Sequence, residues 1–244
     1  MNLILDALAW IFSPDRLTGS TPLPAAIGQH LFYTFLSVVI ASVIAIPLGY
    51  YIGHTGRGRN LAVGISGAAR AIPSFGLILL LVLLIGVTQK PLAATIAFVL
   101  LGIPSILAGA YAGLEAVDRR VVDAARAVGM TEWQILVKVE IPLGLPLLIG
   151  GLRAGALQIV ATVVLAAYVT LGGLGTYILQ GIPLRKFDMI LGSAIVIVAL
   201  ALVLDGLFAL AQHVVVPRGV TAGRPKELRT TSTRRRAAVG NPTV

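Results

Sequence analysis

The stretch from Asp118 to Pro142, DRRVVDAARAVGMTEWQILVKVEIP, decides how the rest of this chain is organised. It carries repeated charge and lies between apolar segments that are long enough to cross a membrane. A connector of this length between two membrane helices is long, and an ordered long connector is usually functional. We therefore expect another molecule to bind at this segment.

The composition places the chain among all-α integral membrane proteins. Of its 244 residues, 57% are hydrophobic and 12% are charged, and the mean hydropathy is +0.93. A soluble domain needs more polar residues to cover its surface. The sequence has no cysteine, which excludes disulfides and thiolate metal sites. The net charge of +9 would suggest nucleic acid in a soluble protein, but here its placement indicates membrane orientation, and no nucleic-acid partner is expected.

Five apolar runs predict five spans in a transmembrane domain over residues 31–216. Residues 1–30 are expected to form an extracytoplasmic segment, with an interfacial helix over Leu3–Phe12 ahead of a Gly/Pro-rich linker; a frayed terminus fits nearly as well. Residues 217–244 predict a disordered basic tail, because they have almost no apolar content. The predicted spans are Leu31–Gly53, Leu61–Gly86, Pro91–Leu114, Leu145–Thr170 and Met189–Val216.

Lysine and arginine are unevenly divided between the two sides of these spans. Thirteen lie in the turn after span one, the 118–142 segment and the tail, whereas four lie on the opposite side. Without the tail, the division is six against four. Because the richer side faces the cytoplasm, we expect a multi-pass plasma-membrane protein with its N-terminus outside and its C-terminus in the cytoplasm.

Cap residues predict a helix at the start of the 118–142 segment. Asp118 is a good N-cap for a helix over Arg119–Val128, and Gly129 stands where a left-handed C-cap is needed. The polar face of this helix is charged, and its other face carries a shallow apolar strip that would let another surface approach closely. The strip consists of Val121, Ala124, Ala125 and Val128.

A second short helix is expected directly after Gly129. Thr131 opens it, and Gln134 completes a capping box. Pro142 and Pro146 are expected to end it before span four. Two short helices that meet at a glycine form a shape that a partner protein can hold, and an amphipathic loop lying on lipid headgroups fits the same residues equally well.

A motif inside the segment resembles a known family. Asp123-Ala124-Ala125, then Gly129 after three residues, then Val139-Glu140-Ile141-Pro142 after nine more, resembles the EAA motif of ABC importer permeases. The departures are conservative, with Asp for Glu, Val for Ile and Ile for Leu. The resemblance extends over Leu31–Val216. Ala71-Ile72-Pro73-Ser74-Phe75 looks most like the osmoprotectant branch, whose permeases carry glycine betaine, choline, carnitine and related quaternary amines.

This resemblance implies a five-span type I, MetI-like permease with a cytoplasmic coupling helix between spans three and four. Such a permease acts with a second permease subunit, the same chain or a paralogue, and with two cytoplasmic ATPase subunits and an extracytoplasmic substrate-binding protein. No Walker A motif occurs, so the chain is not expected to be an enzyme or to hold a cofactor; ATP and Mg would be used by the ATPase. The implied ATPase-coupling residues are Asp123, Ala124, Ala125, Arg126, Gly129, Met130, Thr131 and Pro142.

Interruptions of span two mark a candidate translocation path or gate. Arg70 would lie about 14 Å into the bilayer, where a charge is a functional hypothesis by default; structural pairing of its side chain is the favoured alternative. At Pro73 and Ser74, a broken helix would leave backbone groups free, and a simple kink is the favoured alternative. Three glycines after span four predict a tight outer turn near the mouth of the path: Gly172, Gly173 and Gly175.

Two further charged residues are expected to pair with each other. By helical rise, Arg153 and Asp205 lie near the same inner boundary of the membrane, which favours a structural ion pair. The histidines, His30, His54 and His213, are scattered at span ends and predict neither a metal site nor a proton relay.

Three alternatives remain for the function. A permease of the same family could carry amino acids or another small solute. An ion-coupled secondary carrier predicts carboxylates in mid-membrane and a repeated half, and neither is evident in the sequence. An intramembrane enzyme would need a paired Asp, a His-x-x-x-His or a Ser-Lys/His constellation in its spans, and the spans carry none.

Overall fold

A computed structural model describes residues 2–19 and 21–215, so the tail predicted over 217–244 lies outside the described residues. Within those residues, every regular element is helical, as predicted from composition. The α-helices are α1 (Leu3–Ile11), α2 (Asp15–Thr18), α3 (Leu23–Thr55), α4 (Arg59–Ala71), α5 (Ser74–Ile85), α6 (Lys90–Glu115), α7 (Arg119–Ala127), α8 (Glu132–Ile135), α9 (Ile141–Val163), α10 (Gly175–Leu184) and α11 (Phe187–Val215), with 3₁₀ turns at Val87–Gln89 and Val164–Val169 and a π turn at Leu136–Glu140.

Four helical stretches in the described part of the chain are long and apolar enough to cross a membrane. They are α3, α6 with its preceding turn, the continuous run Glu132–Val169, and α11. The run predicted as span two is a pair of helices, α4 and α5, that meet at an angle of 93°; if this bent pair is counted as one span, the described residues contain five. Pro73 explains the break, since its ring disfavours a helical conformation for Ile72, which is extended.

Helix α3 begins earlier than the sequence suggested. It starts at Leu23 rather than Leu31 and runs without interruption for 33 residues. The prolines at positions 22 and 24 fall in the predicted linker, but proline is compatible with the first turn of a helix, where no backbone N–H is required. The start of α3 shares a core with α1, α10 and α11, in which the ring of Trp10 lies against Gly192.

The prediction that Pro142 and Pro146 end the helix after Thr131 is wrong. Helix α8 continues through the π turn into α9, and Pro146 lies inside α9. The π turn directly before Pro142 provides the explanation, because local π geometry accommodates a residue that has no N–H to donate. Likewise, α6 continues through Pro104, which lies inside the helix.

Helices α6 and α9 approach each other until their backbones touch. A Cβ atom added at Gly151 would lie 2.7 Å from the Cα of Gly109, and one added at Gly144 would lie 2.8 Å from the backbone of Gly113. On the other face of α6, Gly49 and Gly53 of α3 make equally close contacts. These glycines let two membrane helices, α3 and α9, pack closely against α6.

We predict that Gly151→Val destabilises the fold while Gly150→Val does not. The first side chain must push α6 and α9 apart, and overpacking of this kind costs about 1–3 kcal/mol. The second position has no atom within 4 Å of an added Cβ, so it controls for the effect of valine on the helix itself. Unfolding of the two purified variants in detergent is the measurement, and equal stability would contradict the contact.

Candidate functional site

The first half of the 118–142 segment is a capped helix. Asp118 accepts a hydrogen bond from the backbone N–H of Arg120 at 2.9 Å, as the sequence predicted. Gly129 has a φ of 84°, so the predicted left-handed C-cap is also confirmed. The backbone N–H groups of Gly129 and Met130 bond to carbonyls of the last turn of α7 and complete a Schellman motif. Both ends of α7 are therefore fixed.

The second half begins with the predicted capping box. The Gln134 backbone donates to the Thr131 hydroxyl at 3.3 Å, and the Gln134 side chain accepts from the Thr131 backbone at 2.9 Å. Beneath α7 and α8 lies a small core that holds the two helices as one unit. It consists of Val117, Val122, Ala125 and Ile135, with Met130 and Val139 packed against it.

An apolar strip on α7 faces away from this core. Val121 is 43% exposed and Val128 is 78% exposed, with exposed Ala124 between them. Ala125, predicted as a member of the strip, is buried instead, because α7 turns Ala125 and Val122 toward α8. The outward strip has the spacing of one helix face and remains available for another surface.

Arg126 joins the two short helices through charge. It donates from Nε and Nη2 to the two carboxylate oxygens of Glu132, at 2.7 and 3.0 Å, and from Nη1 to Asp123 at 3.3 Å. The hydrogen bonds to Glu132 raise the pKa of Arg126 above its ordinary value. The guanidinium is therefore charged at every physiological pH, and the bidentate contact fixes α7 relative to α8.

A histidine that sequence reasoning set aside lies against the base of this unit. His54, in the last turn of α3, forms a hydrogen bond of 2.5 Å with Glu140 and lies 3.6 Å from Glu132. Glu140 is in the π turn and is only 4% exposed. The signal for Glu140 in the sequence was a carboxylate flanked directly by Val139 and Ile141, and sequence reasoning missed it.

The break between α4 and α5 opens onto a cavity of about 510 Å³. Ser74, predicted as a gate residue, lies in its wall, and Arg70 is in the last turn of α4 next to the break. Sequence reasoning missed two further polar residues of the wall, Ser105 and Gln158; the signal for Gln158 was an amide inside an apolar span. The lining residues are Ala69, Ile72, Ser74, Leu101, Ser105, Ala154 and Gln158.

The predicted glycine turn lies elsewhere, against the start of α3. Gly172 and Gly173 have φ values of 78° and 80°, which favour glycine. The Gly173 N–H donates to the side chain of Gln29 at 3.0 Å. A Cβ at Gly175 would lie 1.9 Å from the Val164 carbonyl oxygen, so only glycine fits there. The turn is thus anchored to α3, and its glycines do not line the cavity at Ser74.

Arg153 of α9 and Asp205 of α11 are brought together in a bidentate ion pair. Nε and Nη2 of the guanidinium donate to the two carboxylate oxygens. The pair is partly buried and joins α9 to α11. Among residues 2–215, Ser20 excepted, no cluster of three His, Cys, Asp or Glu side chains has the arrangement of a metal site.

Comparison with known proteins agrees with this architecture. Residues 43–219 match the family model described as "Binding-protein-dependent transport system inner membrane component". The chain belongs to this family. Curated relatives of this transport family include the osmoprotectant import permease protein OsmW of Salmonella typhimurium, 36% identical over 79% of this chain and 91% of that protein. Another is the carnitine transport permease protein OpuCB of Listeria monocytogenes, 31% identical over 80% of this chain and 89% of that protein.

Solved structures of two ABC transporters share the fold. An inward-facing conformation of the MetNI methionine ABC transporter superposes with a TM-score of 0.70, at 21% identity over 80% of this chain and 96% of that one. An amino acid ABC transporter crystallised with histidines gives a TM-score of 0.62, at 19% identity over 78% of this chain and 92% of that one. The all-helical MetI-like fold is therefore established.

We predict that Arg153→Leu destabilises this permease by about 1–3 kcal/mol, because it leaves the Asp205 carboxylate without its partner. Arg153→Leu combined with Asp205→Leu should recover most of the loss, since an apolar pair leaves no uncompensated charge. Equilibrium unfolding in detergent measures both variants. If the double variant is no more stable than the single one, the pair does not act as a unit.

Proposed function

We propose that this chain is the transmembrane permease subunit of an ATP-driven ABC importer that carries osmoprotectants into the cytoplasm. The substrates would be glycine betaine, choline, carnitine or proline betaine. One observation carries this proposal: the relatives that align over about four fifths of the chain are named as osmoprotectant, carnitine and choline transport permeases. ATP and Mg belong to a separate ATPase, and this chain supplies the path and the coupling contact.

Coupling would take place at the 118–142 segment, on the cytoplasmic side. The exposed strip of Val121, Ala124 and Val128 supports docking of α7 into a groove on the ATPase, because it offers apolar area on a helix fixed at both ends. Gly129 would form the corner at which α7 contacts the ATPase. Since α8 continues into α9, force applied at α7 would reach span four through one helical run.

Translocation would follow the cavity at the break between α4 and α5. Ser74, Ser105 and Gln158 line this cavity with polar side chains. A helix break at a proline is also a place where backbone groups can contact a solute. Arg70 would lie beside this path. The two helices α4 and α5 would together serve as the fifth span. The turn at Gly172, Gly173 and Gly175 would stand at the opposite, extracytoplasmic mouth.

The complete importer would contain two permeases, as two copies or one copy and a paralogue, with two ATPase subunits and an extracytoplasmic binding protein. Residues 1–30 would lie outside the cell, residues 31–216 would form the transmembrane domain, and residues 217–244 would lie in the cytoplasm. The positive-inside distribution of lysine and arginine supports this orientation.

Uptake by the complete complex tests this proposal. Membrane vesicles that contain the permease, its ATPase and its binding protein should accumulate labelled betaine, choline or carnitine only when ATP is supplied. Uptake of labelled methionine and histidine is measured in the same way, to test the alternative that the substrate is an amino acid. Accumulation driven by an ion gradient without ATP would overturn the importer, and exclusive uptake of an amino acid would reassign the substrate.

We predict that Gly129→Val uncouples ATP hydrolysis from uptake and lowers the amount of solute carried per ATP by at least about tenfold. The valine side chain strains the left-handed backbone, by about 1–2 kcal/mol, and occupies the corner that the ATPase would contact. Gly129→Asn is the matched variant, because asparagine tolerates the left-handed region. If both variants transport normally at normal expression, the segment does not couple the two subunits.

A further inference from the structure

We infer that His54 is a positioning residue that transmits movement of the 118–142 segment to α3. This inference rests on the proposed function, in which an ATPase moves that segment. It extends that function, because force would then enter the bundle at two places, span four and span one. The evidence is a continuous set of polar contacts from α7 to the end of α3.

The contacts begin at the proposed docking helix. Arg126 of α7 holds both carboxylate oxygens of Glu132, the first residue of α8. The second ring nitrogen of His54, Nε2, lies 3.6 Å from that carboxylate, while Nδ1 bonds to Glu140 at 2.5 Å. One imidazole therefore faces both the exposed helix α8 and the π turn at the base of span four.

Burial makes the inner contact stiff. Glu140 is 4% exposed, and a carboxylate removed from water without a partner is costly. His54 is its hydrogen-bond partner, so separating α3 from the π turn would leave the carboxylate unsatisfied. A displacement of the π turn is therefore expected to take the end of α3 with it.

Helix α3 can carry that displacement across the molecule. It is a single helix of 33 residues, about 50 Å long by its rise per residue. At its far end, the side chain of Gln29 holds the backbone of Gly173 in the glycine turn. His54 and Gln29 thus attach one helix to the docking segment at one end and to the proposed mouth at the other.

The test uses the complete complex with a nitroxide on a cysteine introduced at Ala25, an exposed residue near the start of α3. The natural chain has no cysteine, so no other site in the permease is labelled. We expect addition of a non-hydrolysable ATP analogue with Mg to change the nitroxide mobility in the otherwise unmodified complex. With His54→Leu and Glu140→Leu together, we expect the change to be lost and betaine uptake per ATP to fall at least fivefold.

The double substitution separates transmission from simple structural support. Replacing both partners by apolar residues of similar size removes the buried carboxylate, so the fold does not depend on the missing histidine. If His54 served only to neutralise Glu140, the double variant would respond to nucleotide as the unmodified complex does. That result would overturn the inference. Glu132→Gln, at an exposed position, should weaken the response without affecting burial and provides a second variant.

Arg59→Gln is the matched control. It breaks a 3.3 Å ion pair with Glu115 between α4 and α6, a contact that does not include the 118–142 segment. The control should retain the nucleotide response, and an equal loss there would overturn the inference. The nitroxide readout needs no transported solute, so absence of betaine uptake in the unmodified complex would reject the proposed substrate while leaving the test of His54 intact. Absence of a nucleotide response in the unmodified complex would reject the role of His54.

Discussion

Backbone contact between α6 and α9, at Gly109 with Gly151 and at Gly113 with Gly144, is the constraint on which the rest of the structure depends. The 118–142 segment connects these two helices, so their contact brings both ends of the segment to one place. The short helices can then fold as a compact unit with its own core rather than as a long loop. The same pair of helices forms much of the wall of the cavity, whose remaining wall comes from the break between α4 and α5. One packing contact therefore sets the positions of both the docking segment and the cavity.

Charged groups are few in this apolar chain, and the structure uses them mainly at junctions between elements. Arg126 joins α7 to α8, His54 joins α3 to the π turn, and Arg153 joins α9 to α11. Dispersion and shape complementarity hold the helices together over most of their remaining contact area. Polar contacts are directional, so they define which elements keep a fixed relation to one another when the bundle changes shape.

Local chemistry made some features predictable from the sequence. The caps at Asp118 and Thr131 and the left-handed Gly129 depend on residues within a few positions of each other, and all three are confirmed. Features that depend on distant residues were not predicted. The contact of His54 with Glu140 is one example: the two residues are 86 positions apart, and nothing in the sequence around either one predicts the other as its partner. Proline was misleading in both directions, because its effect depends on helical context: Pro146 lies inside a continuous helix, whereas Pro73 divides one.

The π turn at Leu136–Glu140 has a geometric consequence for the docking helix. A π turn holds about one residue more than an α turn, and one residue of an α-helix corresponds to about 100° of rotation. The angular phase of α7 and α8 about the axis of span four is therefore fixed by a single inserted residue. Two related chains that differed by one residue here would present faces of the same docking helix that are rotated by about 100° from each other.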